Sequence, residues 1–387
     1  VGFAPIGGID FTPKAKAMDL SLYKVGDLIE FGSYPQSKVT DSDLIAKIEA
    51  AGANISWTDY NYYAGTGDLN FYDGKMKPVT NMMLYKDIAY NGNKYRAVKI
   101  NQYRPNLTGE ISSKSYTAQD DNGYYTGNIY YFKYEPLMWR FLTLEGFVMC
   151  NNVIDSQPYQ NFVYEIGGEL YNTLECSSYA SDWITSSLRQ WLNDDFYNTA
   201  FTAEEKEQIG ISHLVNNHNY SSPYDSADSY DKIYPLSLYD VRGKLYGFNP
   251  DLETCDVARQ MKVTDYAKSQ GLGSQDDFAA WLLRLSVDSS GVYMVDHEGL
   301  ACWGIVANET AGIVPAFKFN LKTSTSDYKT IEFGSYPQSE VKDEALLNRL
   351  NGSLTDDMWV SYGYYSGSIE PENQFLGTAY SGYGSMK

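Results

Sequence analysis

Apolar and polar positions change their spacing several times along the chain, and each change predicts an element. Leu28, Ile29 and Phe31 around Glu30 predict a short strand that Tyr34-Pro35 stops. Leu44, Ile45 and Ile48 share one face of a helix predicted from Asp41 to Ile48. Between Trp57 and Tyr131, short runs of Tyr and Ile alternate with polar residues and are cut by Gly and Asn turns. The run Tyr90-Asn91-Gly92-Asn93-Lys94-Tyr95 is a hairpin signal, because Asn-Gly tolerates the positive φ of a tight turn. Residues 135–142, Gly146 and 147–154 read as a second hairpin entering the main core. Thr185 is placed to cap a helix carrying Leu188, Trp191 and Leu192 on one face. Thr202-Ala203-Glu204-Glu205 has the form of a capping box. Ser237 and Thr264 are further cap candidates, with Gly271 as a stop for the second. Residues 292–295, a turn at 296–299 and residues 300–303 predict a hairpin, and 316–321 a last strand.

The chain also repeats itself. Residues 29–37, Ile-Glu-Phe-Gly-Ser-Tyr-Pro-Gln-Ser, return unchanged as 331–339, an offset of 331 − 29 = 302 residues. The register holds to Gly65 and Gly367 and keeps Trp57/Trp359, Tyr60/Tyr362, Tyr62/Tyr364 and Tyr63/Tyr365. After an indel, 74–77 resume against 384–387. So long an offset is domain-sized, not the short period of a solenoid. The organisation expected is an N-terminal arm at 1–24, one domain at 25–322, a linker at 323–328 and a partial second copy of the domain's start at 329–387. A strand bearing Ile331, Phe333 and Tyr336 without the rest of its domain needs a surface to pack on. These three are therefore candidates for head-to-tail self-association.

Length allows two ordinary domains or one heavily inserted one. Forty-nine acids against thirty bases give −19, which argues against nucleic acid and anionic membrane as partners. No apolar run is long enough for a spanning helix, so no membrane insertion is expected. Of the 36 tyrosines, many cluster with Gly, Ser and Asn at 59–72, 116–134 and 360–383. Such mixtures suit an extracellular or cell-surface β-rich protein, or fill half-buried strand positions. Cys150, Cys176, Cys255 and Cys302 are too few and scattered for a disulfide framework. Cys150 reads as a small buried hydrophobe, and a Cys255–Cys302 bridge stays open.

Phe31-Gly32-Ser33-Tyr34-Pro35, Glu135-Pro136 through Trp139-Arg140, Ile154-Asp155-Ser156-Gln157-Pro158-Tyr159, Ser187-Leu188-Arg189-Gln190-Trp191-Leu192-Asn193, Thr264-Asp265-Tyr266-Ala267-Lys268, Trp281 to Arg284 and Gly312 to Phe317 follow one another in a familiar order. The order resembles a bacterial family of secreted and surface domains of unknown function, over roughly residues 27–321. That family's closing motifs, of the WWLRSP and GVRPAL type, are similar to those of C-type-lectin-like domains related to the formylglycine-generating-enzyme fold. The resemblance implies an α+β, C-type-lectin-like domain with a large β-rich insertion at about 40–130, followed by the partial second repeat. It also implies that the first strand pairs near the last one at 316–321, and that Trp139 and Trp191 are buried. Two departures stand out: Trp281-Leu282-Leu283-Arg284-Leu285-Ser286 lacks the second Trp and the Pro, and Val314 stands where the family carries Arg.

Candidate chemistry is sparse. Sugar-binding C-type lectins hold calcium on Glu-Pro-Asn or Gln-Pro-Asp loops. Here Tyr159 follows Gln157-Pro158 and Leu137 follows Glu135-Pro136, so no converging oxygen set is legible. His213, His218 and His297 fall in no metal or nucleophile motif. Cys302 lacks the second cysteine that copper takes in formylglycine-generating oxidases. Asp194-Asp195 and Asp276-Asp277 read as solvated helix ends, not a glycosidase pair. No catalytic residue, metal or cofactor is assigned. The segment before the last strand offers loop residues for ligand binding: Asp288, Tyr293, Asp296, His297, Glu298, Trp303, Asn308 and Glu309. Trp303 can stack on a sugar, anchor a protein partner or fill the core. The expectation is a non-enzymatic ligand-binding or adhesion module for a glycan or a host or bacterial surface protein. One alternative is a subunit assembling into a surface filament through its duplicated segments, and another is an enzyme of the formylglycine-generating type.

Overall fold

A computed structural model describes residues 22–60, 83–103, 118–160, 164–166, 169–171, 181–216, 226–288, 291–301, 303–306, 310–320, 344–345 and 348. The chain divides after Thr323 into two units. In the second, Glu344, Ala345 and Asn348 are helical, and at the 302-residue offset they answer to Ser42, Asp43 and Ala46. The first unit mixes α and β, with mostly strands and few helices.

Its strands, in chain order, begin with β1 (Leu28–Lys38), β2 (Thr58–Asp59), β3 (Met83–Tyr90), β4 (Asn93–Ile100), β5 (Ile129–Phe141) and β6 (Phe147–Cys150). The short pieces β7 (Asn152–Val153), β8 (Asp155–Pro158), β9 (Tyr164–Ile166), β10 (Glu169–Tyr171), β11 (Ser212–Leu214), β12 (Ser229–Asp231), β13 (Tyr234–Pro235) and β14 (Lys262–Val263) follow. The last are β15 (Trp281–Ser286), β16 (Gly291–Val295), β17 (Trp303–Val306), β18 (Thr310–Ile313) and β19 (Pro315–Lys318). An eight-stranded sheet runs β13-β19-β6-β5-β4-β3-β2, with β1 joined to β5. A five-stranded sheet runs β17-β16-β15-β18-β8.

β1 departs from expectation twice. It continues through Pro35 to Lys38, with irregular register on either side of residues 33–35. With a strand partner on one side only among the described residues, it can host a proline, which has no N–H to donate on the other. That partner is β5, with Ile29 opposite Trp139, and not the last strand. β19 already lies between β6 and β13, so it meets β1 only through side chains: Phe31 sits 5.5 Å from Phe317 and 5.1 Å from Phe319, ring centre to centre. Trp139 is buried there and donates from Nε1 to the Phe31 carbonyl at 2.6 Å.

The 40–130 segment extends the main sheet. Asn91 and Gly92 adopt φ of 48° and 74°, closing the β3–β4 hairpin, and β4 then pairs with β5. Helix α1 (Ser42–Ala51) is capped by Asp41, whose carboxylate accepts from the Leu44 N–H. It seals a small core of Ile48, Ile88, Tyr95, Ala97 and Tyr131.

Farther on, Ser186, not Thr185, caps the short helix Ser187–Trp191, because its side chain accepts from the Arg189 N–H while Thr185 bonds Asp182. A π turn over Leu192–Phe196 then brings Trp191, also buried, against Phe196. Thr202 and Glu205 form the full capping box, and the second Glu205 oxygen accepts from the Gly32 N–H. Gly32 sits at φ +71 and only 2.6 Å separates its missing Cβ from Phe201, so this position admits no side chain.

Three buried polar hubs tie these parts together. The Asp155 carboxylate accepts from the Tyr34 and Tyr60 hydroxyls, the Ser156 N–H and the Gln157 amide. Arg96 makes a two-pronged pair with Asp87 and lies 4.3 Å over the Tyr85 ring. Burial pushes the Asp87 carboxyl up, but Arg96 and Lys94 outweigh it and hold it below the usual range. Arg259, fully buried, donates to the carbonyls of Val241, Asn249, Asp251, Thr254 and Gly299. It thereby fixes a long stretch of irregular backbone.

A candidate ligand-binding cleft above Arg284

β13 contributes two residues to the large sheet, and the chain then bends outward. Ser237 and Asp240 lock that bend: the Ser237 N–H and hydroxyl both donate to one Asp240 oxygen, and the Asp240 N–H returns to the Ser237 hydroxyl. The turn presents Tyr239 outward, 40 % exposed, and carries Tyr246 beside it. Opposite stands the β11–β12 hairpin, where His213 pairs with Tyr230 and stacks on its ring at 4.9 Å. Ile211 and Val215 at the ends of β11 are 68 % and 51 % exposed.

Between these walls lies an open cleft of about 630 Å³, with Glu145 and Lys318 also on its lining. Ile211, Val215 and Tyr239 are exposed at its edges. Burial, then the acids Asp240 and Glu145, push the Tyr246 phenol up.

The floor of the cleft is Arg284, in the fully buried strand β15 and 5 % exposed. Its Nε donates to the Asn216 amide oxygen at 2.8 Å, and one terminal nitrogen donates to the Pro235 carbonyl at 2.9 Å. The other reaches the Val215 carbonyl at 3.5 Å. All three acceptors are neutral. A guanidinium has five N–H donors, so 5 − 3 = 2 have no acceptor among the described residues. No described carboxylate lies within ion-pair distance of it. By contrast, Arg96 faces Asp87 at 2.8 Å, Arg189 faces Asp231 at 2.7 Å and Arg259 has Asp256 at 3.7 Å. Burial lowers the Arg284 pKa, opposed by the more distant charges of Asp240 and Asp231. A buried cation with no carboxylate in contact among the described residues, opening on solvent through a cleft, is suited to an anionic or strongly hydrogen-bonding ligand.

A second hollow of about 680 Å³ lies beyond Ile211, beside Arg189, Tyr230 and Asp231. There Arg189 and Asp231 neutralise one another, and no buried charge is left over.

The described ones among the loop residues suggested by the sequence do not line this cleft. Asp288, in the β15–β16 turn, accepts from the Gly291 N–H, and its carbonyl accepts from Ser181. Asp296 accepts from the N–H groups of Glu298 and Leu300. Both carboxylates shape turns, and the turns sit at opposite ends of β16. Tyr293 is half-buried against the core, His297 is half-buried and Glu298 exposed. The strand expected from residue 300 starts at Trp303, opposite Met294; nothing is described of the Trp303 side chain. Asn308, Glu309, Ile331, Phe333 and Tyr336 lie outside the described residues.

Cys150 is buried and its thiol is pushed up to about 12 by burial, while Cys255 is a free, exposed thiol. Among the described residues no group of three His, Cys, Asp or Glu could hold a metal ion, and no helix is long and apolar enough to cross a membrane.

Arg284 did carry a signal in the sequence, as a lone charge inside Trp-Leu-Leu-Arg-Leu-Ser. Ile211, Val215 and Tyr239 carried none until the fold exposed them.

Residues 161–321 match a family described as a domain of unknown function (DUF6273). No curated protein and no solved structure matches the chain. The matched segment contains Ile211, Tyr239, Arg284 and Lys318, but not Glu145.

Proposed function

We propose that the chain is a non-enzymatic ligand-binding or adhesion module at the cell surface or outside the cell, holding its ligand in the Arg284 cleft of a lectin-like frame. The observation that carries this is Arg284 itself, a buried cation with neutral partners at the floor of an open cleft. The exposed Tyr239, with Ile211 and Val215 also on the rim, supports it, since an exposed aromatic ring can stack on a sugar or anchor a protein. The lectin-like frame rests on the order of sequence motifs, and the surface location on the acidic, tyrosine-rich composition. The turns at Asp288 and Asp296 are poorer ligand sites, because both carboxylates accept from turn backbone. The test is an array of cell-surface glycans and proteins probed with the full chain and with an Ile211→Asp, Tyr239→Ala variant. The full chain should capture a ligand, and the variant should lose it with its melting temperature within a few degrees. Undiminished capture by the variant would place the site elsewhere.

A second reading, self-assembly into a filament, is favoured by how the first copy of the duplicated segment is held. Tyr34 and Tyr60 reach Asp155, Gln36 reaches the Glu135 and Pro136 carbonyls, and Ser37 reaches the Glu135 side chain. Tyr336, Tyr362, Gln338 and Ser339 repeat each of these anchors. The second copy therefore has the side chains to dock on a core of this kind, in another molecule. Deleting residues 328–387 should leave a folded monomer; light scattering that finds polymers before and after the deletion, or in neither case, would remove this reading.

A further inference from the structure

We infer that the Arg284 cleft selects a ligand carrying one carboxylate on a polyhydroxylated ring, the chemistry of a uronic-acid sugar. This rests on the cleft being the ligand site. The planar fork of Arg284 has two N–H groups unspent, and a guanidinium fork matches the two oxygens of a carboxylate. A bound carboxylate would supply in direct contact the counter-charge that Asp240 and Asp231 provide only from farther off. Lys318, exposed at the same cleft, adds a second positive charge.

The remainder of the lining distinguishes a sugar from an acidic peptide. Glu145 and Asp240 face the same cleft. Asp240 gives one oxygen to Ser237, and its other oxygen accepts no bond among the described residues. These acids can accept from ring hydroxyls, whereas the extra carboxylates of an acidic peptide would meet them and a chain of net charge −19. Tyr239 and Ile211 offer apolar faces of the size of a sugar's C–H face.

The experiment titrates the full chain, by calorimetry, with methyl glucuronide and methyl galacturonide, with the matching neutral methyl glycosides, and with an acetylated tetraglutamate peptide. At least one uronide should bind about tenfold or more tighter than its neutral counterpart, as expected for a charge-assisted two-pronged contact. The preference should vanish in Arg284→Gln. Should that variant fail to fold, the exposed Lys318→Ala should still weaken uronide binding several-fold while sparing the neutral glycoside. Equal binding of acid and neutral glycosides overturns the inference and keeps the cleft as a sugar site. Tighter binding of the peptide overturns it in favour of a protein ligand. Failure of every probe, when an arrayed ligand is lost in the Ile211→Asp, Tyr239→Ala variant, overturns it alone; an empty array as well overturns the underlying reading with it.

Discussion

Arg259→Met should destabilise the protein by about 4 kcal/mol or more, read as a shift in the urea midpoint. Methionine fills similar space but donates nothing, so five carbonyls lose their common donor inside the protein. Each buried acceptor left unpaired costs about 1–3 kcal/mol, and partial relaxation keeps the total below the sum. The loss should be local at first: hydrogen exchange over residues 240–256 should speed up before the sheets open, because Arg259 holds that backbone in place. Arg259→Lys should recover only part of the stability, since an ammonium has three donors and no fork. A loss under about 1 kcal/mol for Arg259→Met would mean that water replaces the guanidinium and that the loop is held by other contacts.

Asp155→Ala should cost about 3 kcal/mol or more. Two tyrosine hydroxyls and the Gln157 side chain would lose an acceptor where water does not reach, since Tyr34, Tyr60 and Gln157 are all buried. The carboxylate joins three distant parts of the chain: β1 through Tyr34, the 40–130 segment through Tyr60, and the second sheet through β8. Tyr34→Phe and Tyr60→Phe should each cost about 1–2 kcal/mol. Their effects should not add, since both bond the same oxygen and compete for it. Strict additivity in the double variant would contradict a shared hub.

Local chemistry was mostly legible in the sequence where neighbours along the chain decide it, although Ser186 and not Thr185 caps its helix. The Asn91-Gly92 hairpin, the Thr202–Glu205 capping box and the Thr264 cap each need only a few adjacent residues, and each formed. Trp139 and Trp191 lie in apolar settings and are buried as expected. Where the outcome depended on a distant partner, the reading fell short. Pro35 reads as a stop in the sequence, which does not reveal that β1 pairs on one side only among the described residues. The first and last strands come together through Phe31, Phe317 and Phe319, side chains from opposite ends of the domain, and not through backbone pairing.

The same limit applies to the cleft. Its floor comes from β15, its walls from the residues flanking β11 and following β13, and no short motif unites them. Asp is frequent both in turns and in ligand sites, and the carboxylates of Asp288 and Asp296 accept from turn N–H groups.

The most direct test is a hydrogen-exchange footprint of the full chain with and without an arrayed ligand. Slowed exchange is expected at residues 211–215 and 237–246, with no change at 288–298. Protection confined to 288–298, or a chain that captures no ligand at all, would contradict it.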